Sequence, residues 1–235
     1  MLTWEERTIE PKRGRVIAID GPAGAGKSTL ARELARRLTL PYVNTGLMYR
    51  ALGQRALETG TEPNDGPALA ALAEEIKFAL ERSRSEVPEL MIDGLPASPS
   101  LNAPNVEAIV SRVAQHAPVR EVMRREQRGL GVGGCVMEGR DIGTVVFPDA
   151  DLKIFLSAEP IVRARRRERE RGGGEDVGEA VARRDALDAQ TNPFVPAPDA
   201  HVLDTTALSR DEVLAEAARL ADAAGLAAGA SGRTS

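Results

Sequence analysis

The sequence predicts an α/β fold in which a parallel sheet is flanked by helices, and three observations lead to this prediction. Short apolar or β-branched runs alternate with helical patterns along the chain, which is the order that a parallel sheet with crossover helices requires. The run 15–20 enters a glycine-rich turn, and a helical pattern follows directly. At 235 residues, the chain fits one domain with insertions better than two independent domains, and we place this domain at 14–225.

The turn is followed by two predicted helices with a short strand between them. Leucines recur at every fourth position with arginines on the other faces, which predicts an amphipathic helix that ends before Pro41. A strand follows at 42–44, and the second helix runs from Gly46 to Gly60.

Residues 62–115 interrupt this alternation and are predicted to form a small α+β insertion. The dipeptide Asp93-Gly94 predicts the turn of a hairpin over 89–95. The other elements of the insertion are predicted as a helix at 69–75, a strand at 76–80 and a helix at 106–113.

The alternation then resumes to the end of the domain. The predicted elements are a helix at 119–128, strands at 135–137 and 152–156, a helix beginning near Pro160, a strand at 201–204 and a last helix that opens with the capping box Ser209-x-x-Glu212. Because parallel strands bind ligands at their carboxyl ends, we expect the loops after Asp20, Asn44, Met137 and Leu156 to share one active-site edge.

Composition excludes several classes of function. A net charge of −4 argues against general affinity for nucleic acid. A single cysteine and two histidines give no disulfide framework and no zinc-ligand set. The sequence contains no signal-peptide pattern and no apolar run of membrane-spanning length. We therefore expect a soluble, cytoplasmic protein that binds neither nucleic acid nor membrane.

The glycine-rich turn fits the pattern G-x-x-x-x-G-K-[ST] between a strand and a helix, which is the context that this motif needs. Its glycines let backbone amides surround an anion, and the helix adds the positive end of its dipole. Lys27 can reach the β- and γ-phosphates, and Ser28 can ligate Mg²⁺. The motif predicts a site for a nucleoside triphosphate formed by Gly21, Pro22, Ala23, Gly24, Ala25, Gly26, Lys27, Ser28 and Thr29.

Two arginines and a carboxylate lie beside the other strand ends. Arg140 follows the strand 135–137, and Arg50 lies on the helix after the strand 42–44. An acceptor that carries a phosphate needs such arginines to offset the repulsion between two phosphates, although either residue could instead form a surface ion pair. Glu138 could hold the Mg²⁺ shell through water, or it could be a structural carboxylate.

Two further groups of charges leave their role open. Arginines are dense from 163 to 171 and precede three glycines, which fits either a solvated, ion-paired face or a lid that closes over the transferring phosphoryl group. Arg184 and Asp188 share one helix face. They could form a simple ion pair, or they could contact phosphate and ribose.

Together these stretches resemble bacterial cytidylate (CMP) kinases, of the nucleoside monophosphate kinase group, over most of residues 15–222. The most specific marker is E-G-R-D-I-G-T-V-V-F-P-D-A at 138–150. The other markers are I-D-G-P-A-G-A-G-K-S at 19–28, T-G-x-x-Y-R at 45–50, R-A-x-R-R at 163–167, R-D-x-x-D at 184–188 and P-D-A at 198–200.

The resemblance implies a P-loop core of five parallel strands, an arginine-bearing lid at 158–190 and an acceptor-binding region enlarged by the insertion at 62–115. It implies transfer of the γ-phosphoryl group of ATP to CMP or dCMP with Mg²⁺, by a monomer. By analogy, the base of the acceptor meets Thr45, Ser111, Arg120 and Asp141, its phosphate meets Arg50 and Arg140, and its ribose meets Arg184 and Asp188. The lid arginines Arg163, Arg166 and Arg167 match residues that bind phosphate during transfer.

The chain also departs from the family pattern. Thr191 stands where many relatives have arginine, and Asn44-Thr45 replaces the more usual Asp/Ser-Ser pair. Two alternatives stay open: a kinase of the same fold for UMP, AMP or a small metabolite, and a non-catalytic ATP-binding regulator. Two separate sets of arginines argue against the regulator, which needs only one phosphate site. The segments 1–13 and 226–235 are expected to be flexible termini.

Overall fold

The computed structural model describes residues 14–82, 86–171, 186–187 and 194–226. The strands are β1 (Val16–Asp20), β2 (Tyr42–Asn44), β3 (Phe78–Glu81), β4 (Glu89–Ile92), β5 (Leu95–Pro96), β6 (Cys135–Gly139), β7 (Leu152–Ser157) and β8 (His201–Asp204). The helices are α1 (Lys27–Leu38), α2 (Thr45–Thr59), α3 (Gly66–Glu75), α4 (Pro104–Ala114), α5 (Ala117–Gly131), α6 (Pro160–Arg171) and α7 (Arg210–Ala223), with a 3₁₀ turn at Pro99–Asn102 and a π turn at Ile142–Val146.

The described strands form one sheet in the order β3-β4-β2-β6-β1-β7-β8, with β5 beside β4. The five strands from β2 to β8 in this order are all parallel, which confirms the predicted parallel core. β4 adds to its edge in parallel with β2, whereas β3 and β5 are antiparallel to β4. The insertion therefore extends the central sheet instead of forming a sheet of its own.

Both faces of the sheet are covered, as the uninterrupted apolar sequence of β1 requires. Ile17 and Ile19 pack with residues of α1 and α7 on one face. Val16 and Ala18 pack on the other face with β6 and the π turn. A further cluster lies among α2, α3, α4 and α5, where Met48, Leu52 and Met123 are fully buried. One face of β1 is thus covered by α1 and α7, and the other faces the π turn.

The register of the sheet brings the strand ends to one edge. Asp20 pairs with Gly139 and with Phe155, and Asn44 pairs with Glu138. The loops that follow β1, β2, β6 and β7 consequently leave the sheet on the same side. This is the edge at which the sequence predicts the active site.

Local signals explain several element boundaries. The Asn44 side chain accepts a hydrogen bond from the Leu47 amide and caps α2, which begins one residue earlier than predicted. Asp93 and Gly94 both have positive φ, at 51° and 77°, as the central residues of a type I′ hairpin turn do. The π turn at 142–146 was not predicted, because it depends on a contact with Asp20 that is distant in sequence.

The two ends of the chain lie mostly outside the described residues, including 1–13 and 227–235. Leu226 itself is buried against the cluster of α1 and α7. No described helix is long and apolar enough to cross a membrane.

Candidate active site

The backbone of the glycine-rich turn between β1 and α1 lies very close to neighbouring elements. Gly21, Gly24 and Gly26 have positive φ, and Gly26 directly precedes the first residue of α1. A Cβ atom at Gly21 would lie 2.2 Å from the Leu156 carbonyl oxygen, and one at Gly24 would lie 2.8 Å from that of Arg163. The loop therefore needs glycine for its conformation and for its contacts with neighbouring elements.

Lys27 reaches back over this loop. Its side chain is buried, and its Nζ donates a hydrogen bond to the Pro22 carbonyl oxygen over 2.7 Å. The ammonium group thus sits over the turn whose backbone and helix dipole favour an anion. The arrangement is suited to a phosphate chain.

Ser28, Glu138 and Tyr42 form a connected polar group beside the loop. The Ser28 hydroxyl donates to Glu138 Oε2 over 2.9 Å, and the Tyr42 hydroxyl donates to Glu138 Oε1. Burial and the neighbouring Glu138 carboxylate raise the pKa of Tyr42 well above its usual value, so the hydroxyl stays protonated as a donor. Glu138 is therefore held by both of its oxygens.

A cleft of about 550 Å³ joins this group to the ends of β2 and β6. Its lining includes the predicted residues Lys27, Ser28, Thr45, Arg50, Ser111, Arg120, Glu138, Arg140, Asp141 and Arg167. Sequence positions as far apart as 27 and 167 thus meet in one cavity. A volume of this size is typical of sites for small molecules.

The polar side chains of the cleft are held in different ways. Thr45 Oγ1 donates to the Glu138 carbonyl oxygen over 2.7 Å, and the buried Arg50 lies 3.4 Å from a Glu107 oxygen. Arg120 donates to the Ala114 carbonyl oxygen at the end of α4 over 3.1 Å. Two guanidinium groups therefore line the cleft, and each is held by a contact with the protein.

Arg140 connects the cleft to the glycine-rich loop. Its Nη1 donates to the Gly21 carbonyl oxygen over 3.0 Å. Its guanidinium also lies over the Phe194 ring, 5.9 Å from the ring centroid, within the range of a cation–π contact. A single arginine thus touches the glycine-rich loop while it lines the neighbouring cleft.

Asp20 ties the loop after β6 to the end of β1. Its two carboxylate oxygens accept hydrogen bonds from the amides of Ile142 and Gly143, over 2.9 and 2.7 Å. Burial raises the pKa of Asp20 to about 6, with a smaller contribution from Asp141, whereas the two amides and Lys27 oppose the rise. The carboxylate fixes the turn that presents Arg140 and Asp141.

The three predicted lid arginines of α6 have different surroundings. Arg163 is buried and donates to the carbonyl oxygens of Ala158 and Ala23, the latter in the glycine-rich loop. Arg167 lines the cleft. Arg166 instead donates to the hydroxyl and the carbonyl oxygen of Thr205 over 2.9 and 2.6 Å. The structure therefore separates Arg166 from the other two.

Arg166 borders a second cavity of about 390 Å³ on the opposite side of the loop. Gly24, Gly26 and Thr29 form one wall of this cavity, and Leu208, Val213 and Leu214 belong to the wall that α7 and its preceding turn provide. The glycine-rich loop thus separates two cavities.

Arg184, Asp188 and Thr191 lie outside the described residues. Within the described residues, no group of three or more His, Cys, Asp or Glu side chains forms a metal-binding cluster.

The sequence did not single out four polar residues of this region. Tyr42 holds Glu138, and Tyr49 and Gln127 line the cleft and hydrogen-bond to each other. Arg124 pairs with Asp141. One sequence signal was available, because Arg120, Arg124 and Gln127 recur with the spacing of one helix face.

Comparison with known proteins gives concordant matches. The family model described as Cytidylate kinase matches residues 17–223. A cytidylate kinase of Geobacillus kaustophilus (strain HTA426) is 46% identical over 213 residues, which cover 86% of this chain and 94% of that protein. One of Desulfitobacterium hafniense (strain Y51) is 43% identical over 212 residues, covering 86% and 90%. A bifunctional pantoate ligase/cytidylate kinase of Synechococcus sp. (strain CC9311) is also 43% identical, but the chain spans only 43% of its length.

Proposed function

The chain belongs to the cytidylate kinase family, and we propose which of its residues hold the two nucleotides of the reaction. It is an ATP-dependent phosphotransferase that acts on CMP. The proposal adds dCMP as a second acceptor, Mg²⁺ as the metal and a role for each residue of the site. We also propose that the protein is a monomer and that it is located in the cytoplasm; the one cysteine of the chain, Cys135, is buried and forms no disulfide within the chain, as is usual in a reducing compartment.

We assign the donor to the glycine-rich loop. The amides of the loop, Gly21 to Thr29, surround the phosphates of ATP, and Lys27 Nζ moves from the Pro22 carbonyl to the β- and γ-phosphates. The hydrogen bond over 2.7 Å supports this, because the ammonium group already lies over the loop. Turnover then needs no large movement of Lys27.

The residues present fit Mg²⁺. Ser28 Oγ and Glu138 Oε2 lie 2.9 Å apart beside the loop, and both are oxygen ligands of the kind that Mg²⁺ prefers. The ion usually keeps several waters and is held by one or two protein oxygens together with phosphates. We propose Ser28 as a direct ligand and Glu138 as a ligand through water. When bound, Mg²⁺ would offset the negative charge of the β- and γ-phosphates.

We assign the acceptor to the cleft of about 550 Å³. Its phosphate would pair with Arg50 and Arg140, and its base would face Thr45, Ser111, Arg120 and Asp141. Ribose contacts with Arg184 and Asp188 are proposed from the family resemblance alone. The acceptor atom is a phosphate oxygen that is ionised at neutral pH, so no general base is required, and alignment with charge stabilisation carries the catalysis.

The remaining arginines would act on the transferring group. Arg163 contacts the glycine-rich loop at Ala23 and Arg167 lines the cleft, and we propose that they stabilise the charge of the transition state. Arg166 contacts Thr205, so we propose that it reaches phosphate only when the lid region 158–190 closes. The same proposal treats 14–225 as one domain and 62–115 as its acceptor-binding insertion.

The contact between Arg140 and Gly21, over 3.0 Å, is the observation that carries this proposal. An arginine that lines the acceptor cleft also touches the first residue of the donor loop. The donor and acceptor phosphates would therefore meet at one guanidinium group. A non-catalytic ATP-binding protein has no need of this link.

A coupled assay of ADP release with CMP, dCMP, UMP and AMP tests the proposal. We expect CMP and dCMP to accelerate ADP release strongly, and Arg140→Gln to lower kcat/KM for CMP by about two orders of magnitude, in the range for a charged contact in a transition state. Arg125, which pairs with Glu74 on the exposed side of α5, gives the control variant Arg125→Gln. A preference for UMP or AMP, or no acceleration by any acceptor, would overturn it.

A further inference from the structure

Arg124 forms an ion pair that the assigned roles do not explain. Its Nη2 lies 2.7 Å from Oδ2 of Asp141, in the loop that follows β6. The side chains are only 25% and 17% exposed. A pair in such a position is less screened by water than a surface pair.

Helix α5 presents a short line of polar side chains toward this corner of the cleft. Arg120 and Gln127 line the cleft, and Arg124 lies between them at the spacing of one helix face. Tyr49 comes from α2, is partly buried and hydrogen-bonds to Gln127. Burial raises the pKa of Tyr49 well above its usual value, Asp141 raises it further, and Arg124 opposes the rise. The wall around Asp141 is thus made from three elements.

Arg124 has little other use among the described residues. Its Nε is buried and has no hydrogen-bond partner in that part of the chain. Arg124 does not line the cleft, whereas Asp141 does. Arg124 therefore contacts Asp141 from outside the cleft, whereas a ligand in the cleft can contact Asp141 directly.

We propose that Arg124 is a positioning residue that makes Asp141 select cytosine over uracil. Arg124 binds Oδ2 of Asp141 and so fixes the carboxylate in one orientation. The oxygen lone pairs of Asp141 that do not bind Arg124 then remain for a ligand in the cleft. This inference rests on the proposed function, in which the base of the acceptor faces Asp141.

The chemistry of the two bases makes such a carboxylate selective. An ionised carboxylate can only accept hydrogen bonds. Cytosine offers an exocyclic amine as donor at position 4, and a carboxylate is a usual partner for it. Uracil carries a carbonyl oxygen there, which repels the carboxylate. A carboxylate free to turn away would lose this discrimination, and a fixed one keeps it.

Steady-state kinetics of Arg124→Gln with CMP and UMP tests the proposal. We expect kcat/KM for CMP to fall about tenfold, mainly through KM, because one well-placed hydrogen bond to a charged group has this magnitude. The value for UMP should change less than twofold. Arg124→Lys keeps the charge without the planar fork, so its CMP-to-UMP ratio should lie between those of the wild type and Arg124→Gln.

Arg125→Gln is the matched control, since Arg125 is the next residue of α5 and pairs with Glu74 in solvent. Its CMP-to-UMP ratio should stay within twofold of that of the wild type. Circular dichroism melting of every variant checks the fold, and calorimetric binding of CMP measures the acceptor site without turnover. If Arg124→Gln fails to fold, Arg124→Lys carries the test.

The double variant Arg124→Gln/Asp141→Asn separates positioning from a merely structural role. Asp141→Asn alone should lower the CMP-to-UMP ratio, because its amide can donate to the uracil oxygen. Adding Arg124→Gln should leave that ratio unchanged within twofold. A further fall, or a wild-type ratio in Arg124→Gln and Arg124→Lys, would overturn the inference. A wild-type enzyme with no preference for CMP would instead overturn the proposed function.

Discussion

The hydroxyl of Ser28, in the first turn of α1, donates a hydrogen bond to the carboxylate of Glu138 at the end of β6 over 2.9 Å. These residues are 110 positions apart in sequence. Because β6 lies beside β1 in the sheet, the carboxyl end of one strand faces the helix that follows the other. The contact joins the end of the glycine-rich loop to the carboxylate of the proposed metal site.

Glu138→Gln should weaken the binding of Mg²⁺ with ATP. The amide keeps the shape of the side chain but removes the negative charge that faces the metal shell. We expect the Mg²⁺ concentration for half-maximal ATP binding to rise at least tenfold, the usual effect of losing an outer-shell partner. Isothermal titration calorimetry at several Mg²⁺ concentrations measures this midpoint without turnover.

Glu58→Gln is the control for this experiment, because Glu58 is exposed on α2 and pairs there with Arg55. Its midpoint should match that of the wild type. An unchanged midpoint in Glu138→Gln would remove Glu138 from the metal site.

Tyr42→Phe should disturb the same site more mildly. The Tyr42 hydroxyl donates to the second carboxylate oxygen of Glu138, and Asn44 donates to that hydroxyl over 3.3 Å. The variant loses a hydrogen bond but keeps the ring, so we expect kcat/KM for CMP to fall about three- to tenfold, as for one net hydrogen bond. The melting temperature should change by only a few degrees.

Kinetics of the double variant show whether Tyr42 acts by positioning Glu138 or only by packing. If Tyr42 acts through Glu138, Tyr42→Phe should have little additional effect in the Glu138→Gln background. Fully additive effects in the two backgrounds would contradict this link.

Asp20→Asn should change how stability depends on pH. The folded-state pKa of Asp20 is raised to about 6 from 3.8, chiefly by burial. Between these values the folded chain holds a proton that the unfolded chain has released, so stability falls as pH rises through this window. With the folded-state pKa raised to about 6, the free energy of unfolding should fall by about 3 kcal/mol across this pH window. Because an asparagine side chain does not titrate, Asp20→Asn removes this pH-dependent contribution to stability.

Urea unfolding of both proteins at several pH values from 4 to 7.5 measures the difference. We expect wild type to lose stability relative to Asp20→Asn as pH rises from 4 to 6.5, with a constant difference above that. Asp211→Asn, on the exposed first turn of α7, should give a difference that is flat over the whole range. A difference of opposite slope would mean that burial does not dominate the pKa of Asp20.

The sequence predicted the features that depend on local pattern. The turn from Gly21 to Lys27 followed from glycine spacing, and the hairpin at Asp93-Gly94 followed from a dipeptide with positive φ at both residues. The common edge of the strand ends followed from alternation of strands and helices. In each case, neighbouring residues or a general rule of parallel sheets carried the information.

Contacts made by docking between distant elements could not be predicted. Arg166 is one residue from Arg167, yet it faces Thr205 instead of the cleft, because the packing of α6 against the glycine-rich loop decides which side each face meets. The pairing of Tyr42 with Glu138 depends on the register of β2 against β6. The insertion joins the sheet through a single bridge pair, Tyr42 with Glu89, which no local pattern indicates.

Lys27→Ala should abolish most turnover while the fold persists. The ammonium group of Lys27 lies over the loop, 2.7 Å from the Pro22 carbonyl oxygen, so its removal takes away the positive charge proposed to meet the β- and γ-phosphates. We expect kcat to fall by two to four orders of magnitude, measured by ADP release with saturating ATP and CMP. Lys77→Ala, at an exposed position, should retain normal kcat, and both variants should melt within a few degrees of wild type. Near-normal kcat in Lys27→Ala would contradict the donor site, because the loop alone would then suffice to align and stabilise the phosphates.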